Sequence, residues 1–331
     1  PLEPVYISTV DSGNLAGHLL ALAQGCRELQ NRSSFCPRNL EGVRDALRLL
    51  LDSVDTVERP QRTQTVTGAQ LQAAATEMAA LLEESPASVP DWARRLEDLA
   101  ARAENLQDIA RTLSSHSEGG SPPEVLAWAR AVQDSVGSPA RDLETDSPDV
   151  AADLRQRLLG LAQLAEEFVQ TMDFRFLFHP SRRLFAIGYR VADNTLDPNC
   201  YDLLASEARL ASFVAIAKGD VSPRHWFLLG RPLTPVRHGA ALVSWSGSMF
   251  EYLMPLIVMR HPAQSLLDLT GRLVVERQIQ YGAERRVPWG VSESAYNLRD
   301  VHQTYQYSDF GVPGLGLKRG LFEDVVVAPY A

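Results

Sequence analysis

Between about residues 40 and 169 one pattern recurs five times. LEGVRDALRLLLDSV, GAQLQAAATEMAALLEE, VPDWARRLEDLAARAENLQDIARTL, PPEVLAWARAVQDSV and SPDVAADLRQRLLGLAQLAEEFVQ each set apolar residues three and four positions apart. That spacing lines them along one face of a helix, so the stretch reads as a succession of amphipathic helices. Ser88, Ser121 and Ser147 stand just before helix openings that contain proline, a common start signal. SSHSEGGSPP, at 114–123, separates two of the segments as a linker. The leucine stripes read as core before ligand groove, and the acidic faces as solvated surface.

After Met172 the pattern changes. FRFLFHPSRRLFAIGY reads as a β-hairpin with a proline-containing turn. A helix is expected over DLLASEARLASFVAIAKG (202–219), then short strands in GRPLTPVRHGAALVSWSG, then helices in SMFEYLMPLIVM and PAQSLLDLTGRLVVERQIQYG. Long loops rich in aromatics and glycine separate them. The expectation is a mainly α chain resembling an α-toroid whose loops gather a site at one end, with the acidic helices as an added layer.

Charge separates the same regions. Residues 1–170 hold 26 acidic and 15 basic side chains, whereas 171–331 hold 15 and 17. Aromatics divide the other way, 5 against 20. A net charge of −9 without a basic patch interleaved with aromatics repels phosphate backbones, so nucleic acid is not an expected partner. No apolar run reaches the roughly 18–20 residues that cross a bilayer. PLEPVYISTVDSG lacks the basic and apolar regions of a signal peptide. Cys26, Cys36 and Cys200 are odd in number and lack metal-ligand spacing, which points to a reducing compartment and not to a disulfide framework.

Asp202, Glu207, Glu251 and Glu293 are the candidate carboxylates of the second region, each set among aromatics or small hydroxyl residues. Burial of such a group raises its pKa toward the range useful for proton transfer. In VPWGVSESAYN (287–297), a loop presenting Glu293 beside Trp289 and Tyr296 would make a platform for a sugar ring. Glycoside chemistry needs a protonated acid at the leaving oxygen and a second carboxylate as base or nucleophile. Glu207, on the helix opening with Tyr201, is a candidate partner. Against this, an isolated Glu is usually a surface or capping residue, and Glu251 could pair with an arginine. Trp226 and Trp245 read as core before sugar-stacking residues. His18, His179, His225 and His238 lack ligand spacing and read as packing or surface histidines. GLGLKRG lacks the Lys-Ser/Thr arrangement of a P-loop, and neither GxSxG nor HExxH occurs.

Seven blocks carry a resemblance: YISTVDSGNLAGHLLAL (6–22), MDFRFLF (172–178), YDLLASEARLASFVAIAKGDV (201–221), HWFLLGRPLTP (225–235), ALVSWSGSMFEYLMP (241–255), VPWGVSESAYN and FGVPGLGLKRGL (310–321). Together they resemble the glucoamylase-like middle domain of bacterial cyclic β-1,2-glucan synthases. Residues 26–170 share only helical character with it. The resemblance divides the chain into 1–25, the toroid's first recognisable helix; 26–170, an acidic helical segment; and 171–331, an aromatic-rich catalytic region. It implies an (α/α)6 toroid that breaks a bond of linear β-1,2-glucan and closes the chain on its own 2-hydroxyl. Endo-hydrolysis of the same polymer and a non-catalytic glucan-binding or scaffold role are the alternatives. Glu293 of WGVSESAY is the implied general acid and Glu207 of YDLLASEAR the implied base. Asp202 and Glu251 are expected to hold sugar hydroxyls, and Tyr201, Trp245, Trp289 and Tyr296 complete the substrate-binding candidates. No metal or cofactor is expected. The expected partners are β-1,2-glucan and the glycosyltransferase and phosphorylase-like domains of a parent synthase, with this part as a soluble domain on the cytoplasmic side of an inner-membrane protein. The family's toroid runs on through further helices beyond a VVAPYA-like segment, so the toroid in a chain ending at Ala331 is expected to be incomplete.

Overall fold

The structure, a computed structural model, describes residues 5–30, 37–55, 68–83, 89–116, 123–144, 148–318 and 325–328. Ser88, Ser121, Ser147, Cys36 and most of the 114–123 linker lie outside the described residues. The chain is mainly α, with about 60% helix among the described residues. In order, its elements are β1 (Tyr6–Ser8), α1 (Thr9–Leu29), α2 (Glu41–Asp55), α3 (Gly68–Glu83), α4 (Val89–His116), α5 (Pro123–Glu144) and α6 (Pro148–Thr171). Then come β2 (Phe178–His179), β3 (Leu184–Phe185), β4 (Gly188–Arg190), β5 (Thr195–Leu196), α7 (Arg209–Lys218), α8 (Arg224–Leu228), β6 (Leu233–Val236) and β7 (Gly239–Leu242). The last are α9 (Met249–Leu253), α10 (Leu266–Arg285), β8 (Ser294–Arg299) and β9 (Tyr305–Ser308). The chain forms two compact units, Glu28–Leu158 and Pro1–Arg27 with Leu159–Ala331.

In the first unit α2 to α5 realise the expected helical pattern. Their three- and four-residue spacing aligns Val43, Leu47 and Leu50 of α2 with Leu71, Ala75 and Met78 of α3, Leu99, Ala103 and Leu106 of α4, and Ala129, Val132 and Val136 of α5 in one core. A fully buried leucine in such a core contributes about 1.5–3 kcal/mol over an exposed one.

The second unit mixes helices with short antiparallel pairs. β1 pairs with β4, and β4 with β5. β2 and β3 form the expected hairpin, with Phe178 opposite Phe185. β6 and β7 form another, with Leu233 opposite Leu242. His225 is 2% exposed and sits edge-on to Phe178 and Phe185, a packing histidine. One apolar cluster joins Ala16 of α1 and Val169 of α6 to Phe174, Phe185 and the Leu210, Ala211 and Val214 face of α7. A second joins Leu204, Tyr252, Leu273, Val274, Val291, Phe310 and Leu315.

Two local expectations are corrected. The helix expected from Asp202 begins only at Arg209. Residues 202–204 are instead held extended by Gly230, whose N–H donates to the Asp202 carbonyl at 2.6 Å and whose carbonyl accepts from Leu204 N at 2.9 Å. VPWGVSESAYN is not wholly loop, because from Ser294 it enters β8, which pairs with β9 through an irregularity between Tyr296 and Arg299.

Candidate active site

A cavity of about 460 Å³ in the second unit is lined by Tyr201, Asp202, Glu207, Trp245, Glu251 and Glu293, together with Arg182, Ile187, Asn199, Cys200, Ser246 and Asp309. This volume falls in the roughly 300–1,000 Å³ range of small-molecule sites. Six of the eight residues singled out in the sequence are therefore in one place. Trp289 and Tyr296 are not among the lining. Trp289 is 43% exposed, and Tyr296 packs edge-on against Phe310 at 5.2 Å between ring centroids.

Glu207 stands just ahead of α7 because the extended 202–204 segment turns there. The Ser206 hydroxyl accepts from Ala208 N at 3.2 Å, and the Glu207 carbonyl accepts from Leu210 N at 3.2 Å. Arg209, 1% exposed, ties this turn to α9: its guanidinium donates to the carbonyls of Ser206 at 2.9 Å, Glu251 at 2.7 Å and Tyr252. Burial brings the Arg209 pKa down to about 10. Tyr201 is anchored through its N–H, which donates to the Phe185 carbonyl at 2.9 Å. Asp202 brings a buried Oδ1 without a protein hydrogen-bond partner.

Glu293 is set by a pinned backbone. The buried amide of Gln278 on α10 takes the place of a strand neighbour, accepting from Val291 N and donating to the Val291 carbonyl, both at 2.9 Å. Ser292 Oγ accepts from Phe250 N at 3.0 Å, and Met249 N donates to the Val291 carbonyl at 3.1 Å, fastening the same segment to α9.

Burial raises the pKa of both carboxyl groups. Burial, reinforced by the negative charges of Glu251 and Glu293 against the hydrogen bonds of its own backbone and Ser206, pushes the Glu207 pKa up to about 7. Burial also raises that of Glu293, opposed by a hydrogen bond with Tyr307. Burial and then the Glu207 charge push the Tyr201 phenol upward.

Glu251 is 6% exposed and occupied on both oxygens. Oε1 accepts from the backbone N–H groups of Trp245 and Ser246, both at 3.0 Å. Oε2 accepts from the hydroxyls of Ser244 at 2.9 Å, Ser246 at 2.5 Å and Ser248 at 3.1 Å, and from Ser248 N at 3.0 Å. Its partners are thus serines and backbone amides, and the nearby arginine bonds carbonyls instead. Sequence reading passed over Gln278, Ser292 and these serines. The S-x-x-E pattern of Ser248 and Glu251, realised as a capping box at α9, was the available signal.

Among the described residues no group of three or more His, Cys, Asp or Glu side chains is arranged to hold a metal ion, and no helix is long and apolar enough to cross a membrane.

No family model matches the chain. Over 341 aligned residues it is 44% identical to the cyclic β-(1,2)-glucan synthase NdvB of Rhizobium meliloti (strain 1021), and the match takes in 100% of this chain and 12% of that protein's length. The chain therefore corresponds to one part of a much longer synthase, and the alignment runs through residues 26–170 as well.

Proposed function

We propose that the cavity is the active site of a transglycosylase that cyclises linear β-1,2-glucan, within an (α/α)6-type arrangement of helices. The single observation carrying this reading is the presence of two carboxyl groups, Glu207 and Glu293, in one sugar-sized cavity, both with a pKa raised by burial, that of Glu207 to about 7.

Closing a ring with the β linkage retained takes two displacements at the anomeric carbon. In the first, the Glu293 carboxylate attacks that carbon while the Glu207 carboxyl gives its proton to the departing 2-oxygen. In the second, Glu207, now a carboxylate, takes the proton from the chain's own terminal 2-hydroxyl, which attacks and releases Glu293. One glucosidic bond is broken and one is made, so neither an activated donor nor a cofactor enters the balance. The group that first donates and then accepts a proton works best with a pKa near the working pH. Burial raises the pKa of both groups, to about 7 for Glu207; this reading gives Glu207 the acid/base role and Glu293 the nucleophile's, the reverse of the assignment implied by sequence resemblance. Asp202, with its unpartnered oxygen, is suited to accept a sugar hydroxyl, and Tyr201 and Trp245 offer faces to the ring.

The test is incubation of the 331-residue chain with linear β-1,2-glucan, followed by separation of products. Cyclic glucans lacking a reducing end support the proposal. Shortened linear chains alone point to hydrolysis by the same pair, and unchanged glucan at all concentrations would refute both. The parent synthase's other domains and the cytoplasmic side of an inner membrane belong to this proposal as setting.

A further inference from the structure

Residues 244–248 form a strap across the cavity wall, and it is gripped from two sides. On one side lies the Glu251 carboxylate with its seven contacts to Ser244, Trp245, Ser246 and Ser248, none longer than 3.2 Å. Every one of these neighbours acts as a donor. A carboxylate offers about four lone-pair positions, so none is left for a sugar hydroxyl. On the other side runs the 311–318 segment. Ser244 N donates to the Leu315 carbonyl at 3.0 Å, Leu317 N to the Ser244 carbonyl at 3.0 Å, Val312 N to the Gly247 carbonyl at 3.1 Å and Lys318 N to the Trp245 carbonyl at 2.8 Å. Two glycines permit this approach. A Cβ on Gly311 would lie 1.9 Å from the Ser246 carbonyl oxygen, and one on Gly316 would lie 2.3 Å from the Ser246 carbonyl carbon. Gly311 and Gly316 therefore serve a backbone-to-backbone contact.

We infer that Glu251 is a positioning residue: its carboxylate fixes the 244–248 strap, and so the Trp245 side chain in the cavity wall, without touching sugar. This rests on the reading of the cavity as a glucan site. Trp245 is 42% exposed, so the placement of its ring follows where its backbone is held. Both grips act on that backbone. Their position also explains why a residue lining the cavity is almost wholly withdrawn from solvent. The charge of Glu251 contributes secondarily to holding the Glu207 proton.

Two variants attack the strap from opposite sides. Glu251→Gln replaces an acceptor oxygen with an N–H donor where donors already converge. Gly316→Ala leaves Glu251 intact and pushes the strap from behind. The first readout needs no substrate: the indole N–H resonance of Trp245 should shift and broaden in both variants. An unchanged resonance in both overturns the inference whether or not the chain turns over glucan. The second readout is a double-mutant cycle on glucan binding. Trp245→Ala should raise KM about tenfold in the unaltered chain and less than about twofold in the Glu251→Gln or Gly316→Ala background. Full additivity in both backgrounds would mean that Glu251 acts on the sugar independently and would overturn the inference. Should Glu251→Gln fail to fold, Gly316→Ala alone decides the outcome by the same two measurements.

Discussion

The two units bury different chemistry. Among the described residues, the helical unit buries Ser53 and Gln107 as its polar side chains, whereas the site-bearing unit buries Ser206, Arg209, Ser212, His225, Ser244, Ser246, Ser248, Glu251, Gln278 and Ser292 among others. A buried polar group left without a partner costs about 1–3 kcal/mol, so each such residue constrains what must surround it. Apolar stripes tolerate small adjustments of one helix against another. Glu251 with its ring of serines, and Gln278 bonded twice to Val291, admit few alternatives. The helical unit is thus held mainly by apolar area, whereas the site-bearing unit adds specified contacts to its two apolar clusters, and the specified contacts converge on the segments that carry Glu207, Trp245 and Glu293.

The largest expected effect tests the functional side of this contrast. Glu293→Gln keeps the size of the side chain and removes its charge, so turnover of β-1,2-glucan should fall by roughly two to four orders of magnitude while glucan still binds. Glu97→Gln, at an exposed position of α4, should leave turnover unchanged. Steady-state rates on the three proteins decide the matter, and equal rates for Glu293→Gln and the unaltered chain would sink the assignment.

A next effect tests the structural side. Leu99 is 0% exposed in the core of the helical unit, and Leu99→Ala should destabilise it by about 2–5 kcal/mol. Hydrogen exchange should show lost protection in α2 to α5 with amides of the site-bearing unit little changed. Equal loss in both would show that the units unfold as one block and that the contrast has no thermodynamic meaning.

Legibility in the sequence follows the same division. The helices of 40–171 were readable because their cores are built from neighbours three and four positions away, a relation present in any short window. The β2–β3 hairpin was readable for the same reason. The extended stretch ahead of α7 was not, because its partner Gly230 lies far along the chain and LASEARLASF has helical spacing of its own. β8 and β9 were missed because their burial alternates only weakly, and the residues between Asn297 and Tyr305 are exposed and polar enough to read as loop. At the cavity the residue types were visible, since small hydroxyl residues and aromatics flank each acid. What those serines bind was not, because their common acceptor, Glu251, read as a group for the substrate.

The smallest expected effect joins the two kinds of burial in one residue. Glu207 has a pKa pushed up to about 7 from an ordinary value of 4.5, mainly by burial. Between those two pH values the folded protein binds more protons at this site than the unfolded chain, so its contribution makes stability fall as pH rises. The penalty is absent below about pH 4.5 and complete above about pH 7, where it reaches up to roughly 3 kcal/mol. Glu207→Gln cannot ionise and escapes it. The variant should therefore unfold at a higher denaturant concentration than the unaltered chain at pH 8, by an amount that shrinks to near zero at pH 4. If the gain is equal at both pH values, packing and not charge is responsible, and the raised pKa that assigns Glu207 the proton-carrying role loses its support. If the gain appears only at pH 8, a residue that destabilises the site-bearing unit at neutral pH is also the one proposed to carry its proton.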